Sequence, residues 1–595
     1  MSSADFSTVL VKDDRIANLT DKITYAVNKG AQQITVAEFN ATSESNSSHV
    51  YNIVVPSLET IIDRRVLWTS TVTLKVTCDC KANFQAINYG LRDSLGPFPL
   101  HQLCQTITAT INNNTVSCNI KDVIDPMLRM LDNRDLARYN NSTPVMYDTY
   151  AKYPDMAGAN NSNLGGFDLA TDQFIKPRGA FALDAVSSVA NFSAALTTTT
   201  GALQREAYIK FTVTEPLLLS PFLFGNPSHN NQGMYGVQNM SFNMNMSDTK
   251  RVWRHDNGPG GDSSLIVGVE LVKFEKSKLT FNFLTAHPSD ELSSRCVVPY
   301  YELPRYLTTF SAPVVECPAP LYTGGELTPT PATLSSTTIS LNQIPDKLII
   351  YIRKKDKTWT DADRFLSIKK ININWNNNTG VCSSFNQVDL WRCSVEAGSN
   401  QSWDEFKGVA SRQNNVIGED IAGAGAGLKV ATCGSVLMLD VGQHLNLVED
   451  YYAPGSIGQF SLQFTVTCEN YGPEMVPELV LVCMNGGAFS TERGTSSTFT
   501  ALLTKEDVLQ ASMMEPVSRG EVHRLVGGGF LDSLKSAFKW LIPHAGKIAN
   551  TALTVHDIYK DGPTHKSTKA RHIVKALGGA RSGGSMSGGL MARLR

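Results

Sequence analysis

From about residue 48 to residue 503, apolar and polar positions alternate along the chain with a period of two. The runs include HVYNIVV at 49–55, VTLKVTC at 72–78, EAYIKFTVT at 206–214, MSFNMNM at 240–246, LIVGVELVKF at 265–274 and KLTFNFL at 278–284. They continue with KLIIYIRK at 347–354, KKININW at 369–375, FSLQFTVTC at 460–468 and PELVLVC at 477–483. These runs are β-branched and aromatic, and clusters of Gly, Pro, Asn and Ser separate them, the signature of an all-β sandwich. Helical periodicity is confined to short inserts, IKDVIDPMLRMLDN at 120–133 and QSWDEFKG at 401–408. A parallel sheet needs a helix in most crossovers, so the pattern argues against an α/β fold.

The extent of the pattern sets the number of domains. One eight-stranded jelly roll commonly takes ~150–200 residues, so a sandwich region this long predicts two in tandem with long loops. The expected division is an N-terminal arm over 1–47, a first roll over 48–275 and a second over 276–503. The joint is placed near Phe274–Leu279, where the run pauses at EKSK. A linker with a short helix over 504–528 and a distinct tail over 529–595 follow. The polar segment from Asn140 to Thr200 reads as an extended loop of the first roll, and GEDIAGAGAGLK at 418–429 as a loop of the second. Loops of this length usually carry a binding or assembly role.

Composition adds one point. Of the 595 residues 42% are hydrophobic and 18% charged, with a net charge of −2. About 25% charged is usual, so part of the surface is expected to be buried, most simply against copies of the same chain. No run of 18 apolar residues is present, and the opening MSSADFSTVLVKDDR lacks a basic region followed by an apolar one, so neither a spanning helix nor a secretory signal is expected. The sequons at Asn18, Asn40, Asn191, Asn239 and Asn400 then read as polar turn residues. The 11 cysteines are scattered, and only Cys78 and Cys80 are close, alternating along a strand. No second pair stands at zinc spacing, so they read as reduced core thiols.

Catalytic and cofactor signatures are missing. No phosphate-binding loop, HExxH, GxSxG or paired zinc motif occurs. Gly423–Gly427 precedes the strand-like LKVATCG, not a helix, so a nucleotide cradle is not expected. Asp361 and Asp363 read as turn residues before an apolar strand, and His255–Asp256 as an exposed polar loop. No catalytic, cofactor-binding or metal residue is assigned, and the chain is not expected to be an enzyme.

Several blocks resemble the double jelly-roll major capsid proteins of the adenovirus-like lineage, in particular those of polinton-like viruses, adintoviruses and virophages. They are SLETIIDRRVLWTSTVTLKV at 57–76, EPLLLSPFLFGNPSHNNQGMYGVQNMSFNMNM at 215–246, ISLNQIPDKLIIYIRKKDKTWTDADRFLSIKKININWNNNTG at 339–380 and DLWRCSVEAGSNQSWDEFKG at 389–408. The resemblance implies a structural shell subunit whose homotrimers have a pseudo-hexameric outline and tile an icosahedral virion. Their interfaces would be large and permanent. Neighbouring capsomers, penton or minor capsid proteins and a viral cysteine protease would be the partners, with assembly in the host nucleus or cytoplasm.

The tail changes character. Proteases of the adenovirus type, which the resemblance brings in, take a large aliphatic residue, any residue, then Gly-Gly before the cut. Leu525-Val526-Gly527-Gly528 before Gly529 fits, as does Met586-Ser587-Gly588-Gly589 before Leu590, while Ala576-Leu577-Gly578-Gly579 fits poorly. A groove that excludes Cβ at the two positions before the cut admits only glycine there. A plain glycine hinge is the alternative.

After Gly529, a helical wheel puts Phe530, Leu531, Leu534, Phe538, Leu541 and Ile548 on one face, with Asp532, Lys535, Lys539 and Lys547 on the other. Trp540 departs from the split, and Pro543 is expected to kink the segment. The helix is either a docking helix against the inner shell surface or an interfacial, membrane-active one that meets the endosomal membrane. Beyond it, Lys566, Lys569, Arg571, Lys575 and Arg581 face no acidic residue after Asp561. Such a tail binds polyanions by counterion release, and packaged DNA is a candidate partner, with a merely solvated tail as the alternative.

Two rivals make different predictions. A jelly-roll carbohydrate-binding protein or hydrolase would carry a secretion signal and, as an enzyme, paired carboxylates at a cleft. An RNA-virus capsid with a self-cleaved lytic peptide would carry one jelly roll with protruding domains.

Overall fold

The computed structural model describes residues 31–503 apart from 81–88, 90–92, 131–135, 153–182, 187–193, 197–202, 223–232, 256–264, 318–328, 413–427, 448–452 and a few shorter gaps. Two antiparallel sandwiches follow one another along the chain. In the first, the larger sheet runs in the order Gln33–Asn40, Leu265–Thr285, Leu67–Cys80, Leu203–Pro216, Ala194–Leu196. Facing it is the order Ser43–Glu44, Ser48–Val54, Asn239–Met246, Cys104–Ile111, Asn114–Cys118. In the second, Arg295–Glu302 and Arg305–Thr309 both pair with Pro477–Glu492, followed by Lys347–Lys354 and Val436–Asp440. Its facing sheet has Ala332–Ser335 and Ile339–Gln343 on Ile457–Glu469, then Ser367–Trp375 and Asn378–Val381.

The strand order is thus the same twice, and the rival with a single roll fails on this count. The duplication reaches into local sequence. Asn112-Asn113-Asn114-Thr115 and Asn376-Asn377-Asn378-Thr379 turn the equivalent hairpins, with Asn112 and Asn376 at φ 53 and 50. Asparagine tolerates the left-handed region that a two-residue hairpin loop demands. In each roll a helix follows that hairpin, Ile120–Leu128 in the first and Gln387–Glu396 in the second.

Alternation decides burial within each strand. In Ser48–Val54, His49, Tyr51 and Ile53 are buried while Asn52 and Val54 face solvent. A pleated strand points successive side chains to opposite faces, so one apolar row meets the facing sheet.

Two expectations are corrected. The pause at EKSK is not a domain joint: Leu265–Thr285 is one strand, bulged between Glu275 and Lys278, with Lys276 at φ 56. Its second half pairs with Gln33–Asn40 and keeps residues 276–285 in the first sandwich, so the joint falls between Thr285 and Arg295. Residues 33–44 likewise belong to the first sandwich and not to an arm.

The helices Ile120–Leu128 and Trp403–Lys407 lie where helical periodicity predicts them. The helix Gln387–Glu396 was not anticipated, although its start carries a readable signal. Asn386 accepts from the backbone N–H of Val388 and Asp389, and the Asp389 side chain accepts from the Asn386 N–H, a complete capping box.

Candidate assembly site

The seam between the two rolls is the most elaborate polar construction in the described residues, and it grows from a failure of alternation. In LIIYI (348–352) and VLMLD (436–440) nearly every residue is buried. One row, Leu348, Ile350, Ile352, Leu437 and Leu439, fills the core of the second roll. The other row, Ile349, Tyr351, Val436 and Met438, joins the core cluster of the first. A sheet covered on both faces has no polar row to show, so its strands read as unbroken apolar runs.

The helix Ile120–Leu128 stands in this seam. Ile120, Val123, Ile124 and Leu128 enter the first roll, and Asp122 and Asp125 lie off that face. Asp122 pairs with Arg305 at 2.7 Å and with Arg353 at 2.6 Å, and Arg353 also reaches Glu478 at 2.8 Å. The Tyr351 hydroxyl donates to the Asp122 carbonyl oxygen at 2.5 Å. Asp125 is held by Arg251. A buried charge without its partner is costly, so this array is stable only while the two rolls stay in register.

A second array lies beside it. Arg254 pairs with Asp148 at 3.2 Å and approaches Asp363 at 3.8 Å, and Lys357 also bonds Asp363. Burial acts to raise the Asp363 carboxyl, but Lys357, Arg254 and Arg251 outweigh it and hold the group well below the usual carboxylate range. Burial raises Asp148 instead, with Arg254 only partly offsetting it. The Arg129 guanidinium stacks 4.8 Å from the Tyr147 ring and 4.5 Å from the Phe365 ring, a cation held between faces from both rolls. Asn400, expected as a turn residue, closes the seam: its N–H donates to the Arg129 carbonyl at 2.8 Å and its amide to that of Met130 at 2.7 Å.

The strand Pro477–Glu492 ties the rolls together. Its first half pairs with Lys347–Lys354 and its second half with Arg295–Glu302 and Thr495–Phe499. The change falls between Met484 and Asn485, just before Gly486–Gly487, where a Cβ would collide with the Asp346 carboxylate or with the Phe499 backbone carbonyl. Beyond it, Ser496 donates its N–H to Asn113 Oδ1 at 2.8 Å, in the first-roll hairpin turn.

Other sequence readings can be placed. Asp361 is a turn residue, accepting from the Thr358 N–H at 2.8 Å and from Lys354. His255 is not in an exposed loop. It is buried, with Nδ1 2.8 Å from Asp93 Oδ1, which also accepts from Trp253 Nε1 at 3.1 Å. The cysteines whose side chains are described, all but Cys80, are free and buried. Burial pushes the thiols of Cys118, Cys382, Cys433 and Cys468 up to about 12, in keeping with inert core thiols. The candidate cleavage residues around Gly528 and Gly589, the helix from Phe530 and the basic tail from Lys566 all lie outside the described residues.

Among the described residues, one apolar surface is left uncovered. The helix Gln387–Glu396 buries Leu390 and Cys393 in its own roll but leaves Val388 and Val395 exposed at 36% and 42%. Trp391 and Trp403 stand beside them, half-buried, with ring centroids 5.7 Å apart. A helix apolar on two faces is normally covered on both.

Comparison with known proteins agrees with this architecture. Residues 4–284 match the family model for the first domain of the Sputnik virophage major capsid protein, and residues 303–487 match that for the C-terminal domain of major capsid protein V20. The boundary between these matches brackets the joint seen in the strands. The capsid protein V20 of Sputnik virophage is 28% identical over 580 residues, covering 94% of this chain and 89% of the relative. A chain of the Sputnik virophage cryo-EM structure superposes with a TM-score of 0.72 at 26% identity, covering 88% of this chain and 99% of that one. The mavirus major capsid protein shares the fold, with a TM-score of 0.62 at 13% identity over 87% of this chain and 99% of that one. With two rolls of identical strand order, and family models that together span more than three quarters of its length, the chain belongs to the virophage major capsid protein family, as a structural double jelly-roll protein of the virion shell.

Proposed function

We propose that the protein is the tile of an icosahedral shell: a homotrimer whose six rolls give a pseudo-hexagonal outline, packed against neighbouring capsomers and closed by penton or minor capsid proteins. The duplicated roll carries this reading. Two like units in one chain turn a three-fold assembly into a near six-fold one, which packs in a hexagonal lattice. Light scattering on the purified chain tests it: three 64.9 kDa chains give about 195 kDa. A stable monomer under the same conditions would overturn the reading.

The reading extends to maturation. A cysteine protease of the adenovirus type cuts after Gly528, and the released segment first docks inside the shell and then acts on membrane, while its basic end contacts packaged DNA. The Leu-Val-Gly-Gly pattern and the two-faced helical periodicity of the sequence after it support this. Mass spectrometry of purified particles should find a new terminus at Gly529, and an intact tail there would refute cleavage. A peptide spanning Gly529–Lys560 should release liposome contents at micromolar concentration, and failure to do so would refute the membrane role.

A further inference from the structure

We propose that Asn485 and Gly486 form a self-modifying site in the strand that ties the two rolls together, with Asp346 as its base. The Gly486 nitrogen attacks the Asn485 side-chain amide, and the strand gains a cyclic imide and then a carboxylate.

Asparagine followed by glycine is the pair in which this ring closes with least hindrance, because the attacking amide belongs to a residue without Cβ. The sequence holds the pair twice, at 257–258 and 485–486, and the second lies among the described residues. There a carboxylate waits on the attacking amide: the Gly486 N–H donates to Asp346 Oδ2 at 2.8 Å. Glycine is what admits it, since a Cβ at 486 would collide with that same oxygen. Asp346 is itself held in place, its N–H donating to the Met484 carbonyl at 2.8 Å and its carbonyl accepting from Val441 at 3.0 Å.

The electrophile is free to turn. Asn485 is 8% exposed, and among the described residues its side chain makes no hydrogen bond. Asn46, which precedes Ser47, differs: its amide donates to the carbonyls of Leu271 and Val272. The backbone is also least held at this point. Met484 pairs with Lys347, the first residue of its strand, and Asn485 with Glu302, the last of its own. Ring closure turns the backbone at Asn485 out of the extended form, and it breaks fewest ladder bonds where two ladders end.

The step balances without an added oxidant or reductant. The Asp346 carboxylate takes the Gly486 N–H proton, the nitrogen bonds to Asn485 Cγ, and the Cγ–Nδ2 bond breaks. The proton leaves with the departing group as ammonia. Water then opens the imide at either carbonyl, giving aspartate or isoaspartate at 485. Burial, with Asp440 adding to it, raises the Asp346 carboxyl to about 6 against the pull of the Gly486 amide and Lys347. Tyr301, opposite Gly486 on the neighbouring strand, also faces it, and its phenol is pushed up by burial and by Asp346. Above pH 6 the carboxylate can accept the proton, and below it the group is already occupied. The product carries a second negative charge beside Asp346, and like charges in a half-buried place repel. The site is thus a slow clock that loosens the strand between the rolls.

The test holds the full-length protein between about pH 5 and pH 9 and reads conversion at residue 485 by peptide mass spectrometry, with a synthetic peptide Leu481–Phe489 alongside. In the protein the rate should rise through about pH 6 and level off by pH 8, while the peptide's keeps rising with hydroxide. Asp346→Asn keeps an oxygen for the Gly486 N–H and should slow conversion at pH 8 about a hundredfold, with melting near that of wild type. Should that variant fail to fold, the wild-type pH profile decides alone. No conversion at 485 while the peptide converts overturns the site, the strand then protecting the pair. A protein rate that climbs with pH as the peptide's does, or equal rates in wild type and folded Asp346→Asn, overturns the role of Asp346.

Discussion

Histidine 49 makes the stability of the first roll depend on pH, with a size and sign that follow from its surroundings. Its ring is fully buried, edge-on to Phe274 with centroids 4.2 Å apart and flanked by Trp68 at 6.2 Å and Tyr51 at 6.4 Å. Neither ring nitrogen has a hydrogen-bond partner. Burial disfavours the imidazolium and lowers the group from 6.5 to about 4. The unfolded chain therefore binds a proton between pH 6.5 and 4 that the folded chain refuses. Stability is complete above pH 6.5, falls as pH drops and levels off below about 4, with a total loss of about 3 kcal/mol. The variant His49→Phe keeps an aromatic ring against Phe274 and removes the titration. Urea unfolding followed by tryptophan fluorescence, with Trp68 as a local reporter, should show the wild-type midpoint falling between pH 7 and 5. The fall should be shallower in His49→Phe by up to about 1.4 kcal/mol per pH unit. At pH 7.5 the variant should be at least as stable as wild type, because two unsatisfied buried nitrogens are gone. Parallel pH profiles for the two proteins would refute this account.

Three further outcomes are expected. Asp122→Ala leaves Arg305 without its carboxylate and Arg353 with Glu478 alone, and should cost about 3 kcal/mol in urea unfolding. Arg305→Met together with Arg353→Met, in the Asp122→Ala background, should recover part of that loss. Gly487→Ala would force a Cβ into the Phe499 carbonyl, flanked by backbone, and should lower stability by more than about 3 kcal/mol or prevent soluble expression; a wild-type melting curve would contradict the packing described. Asn386→Ala removes the cap of the helix Gln387–Glu396 and should cost about 1 kcal/mol, whereas Asn386→Ser should be nearly neutral, as read by thermal melting.

Much of the fold was legible because a strand with one face in the core must alternate. The run at 49–55 lies within a strand except for Val55, those at 72–78, 206–214, 240–246 and 460–468 lie wholly within strands, and their number and spacing are enough for two rolls. The short helices Ile120–Leu128 and Trp403–Lys407 were legible for the same kind of reason, and the cap at Asn386 carried a third that periodicity missed. The repeated Asn-Asn-Asn-Thr at 112–115 and 376–379 was a local mark of the duplication, because each two-residue hairpin turn needs a left-handed residue at the same place.

Tertiary structure decided what depends on a partner distant in sequence. Nothing local to EKSK tells a bulge from a domain end; pairing with Gln33–Asn40 does, because the sheet supplies the hydrogen bonds that continue the strand. His255 and Asn400 sit in polar stretches that look like loops, yet one is held by Asp93 and the other by Arg129 and Met130, contacts that sequence distance conceals. The run KLIIYIRK, read as alternating, is in fact buried along both faces, and nothing local says against what. Only the packing of the two rolls made the second face a seam. The sequence by itself determined the two rolls, because side-chain alternation is a local property of a strand. The structure determined where they join, because that follows from pairings between residues far apart along the chain.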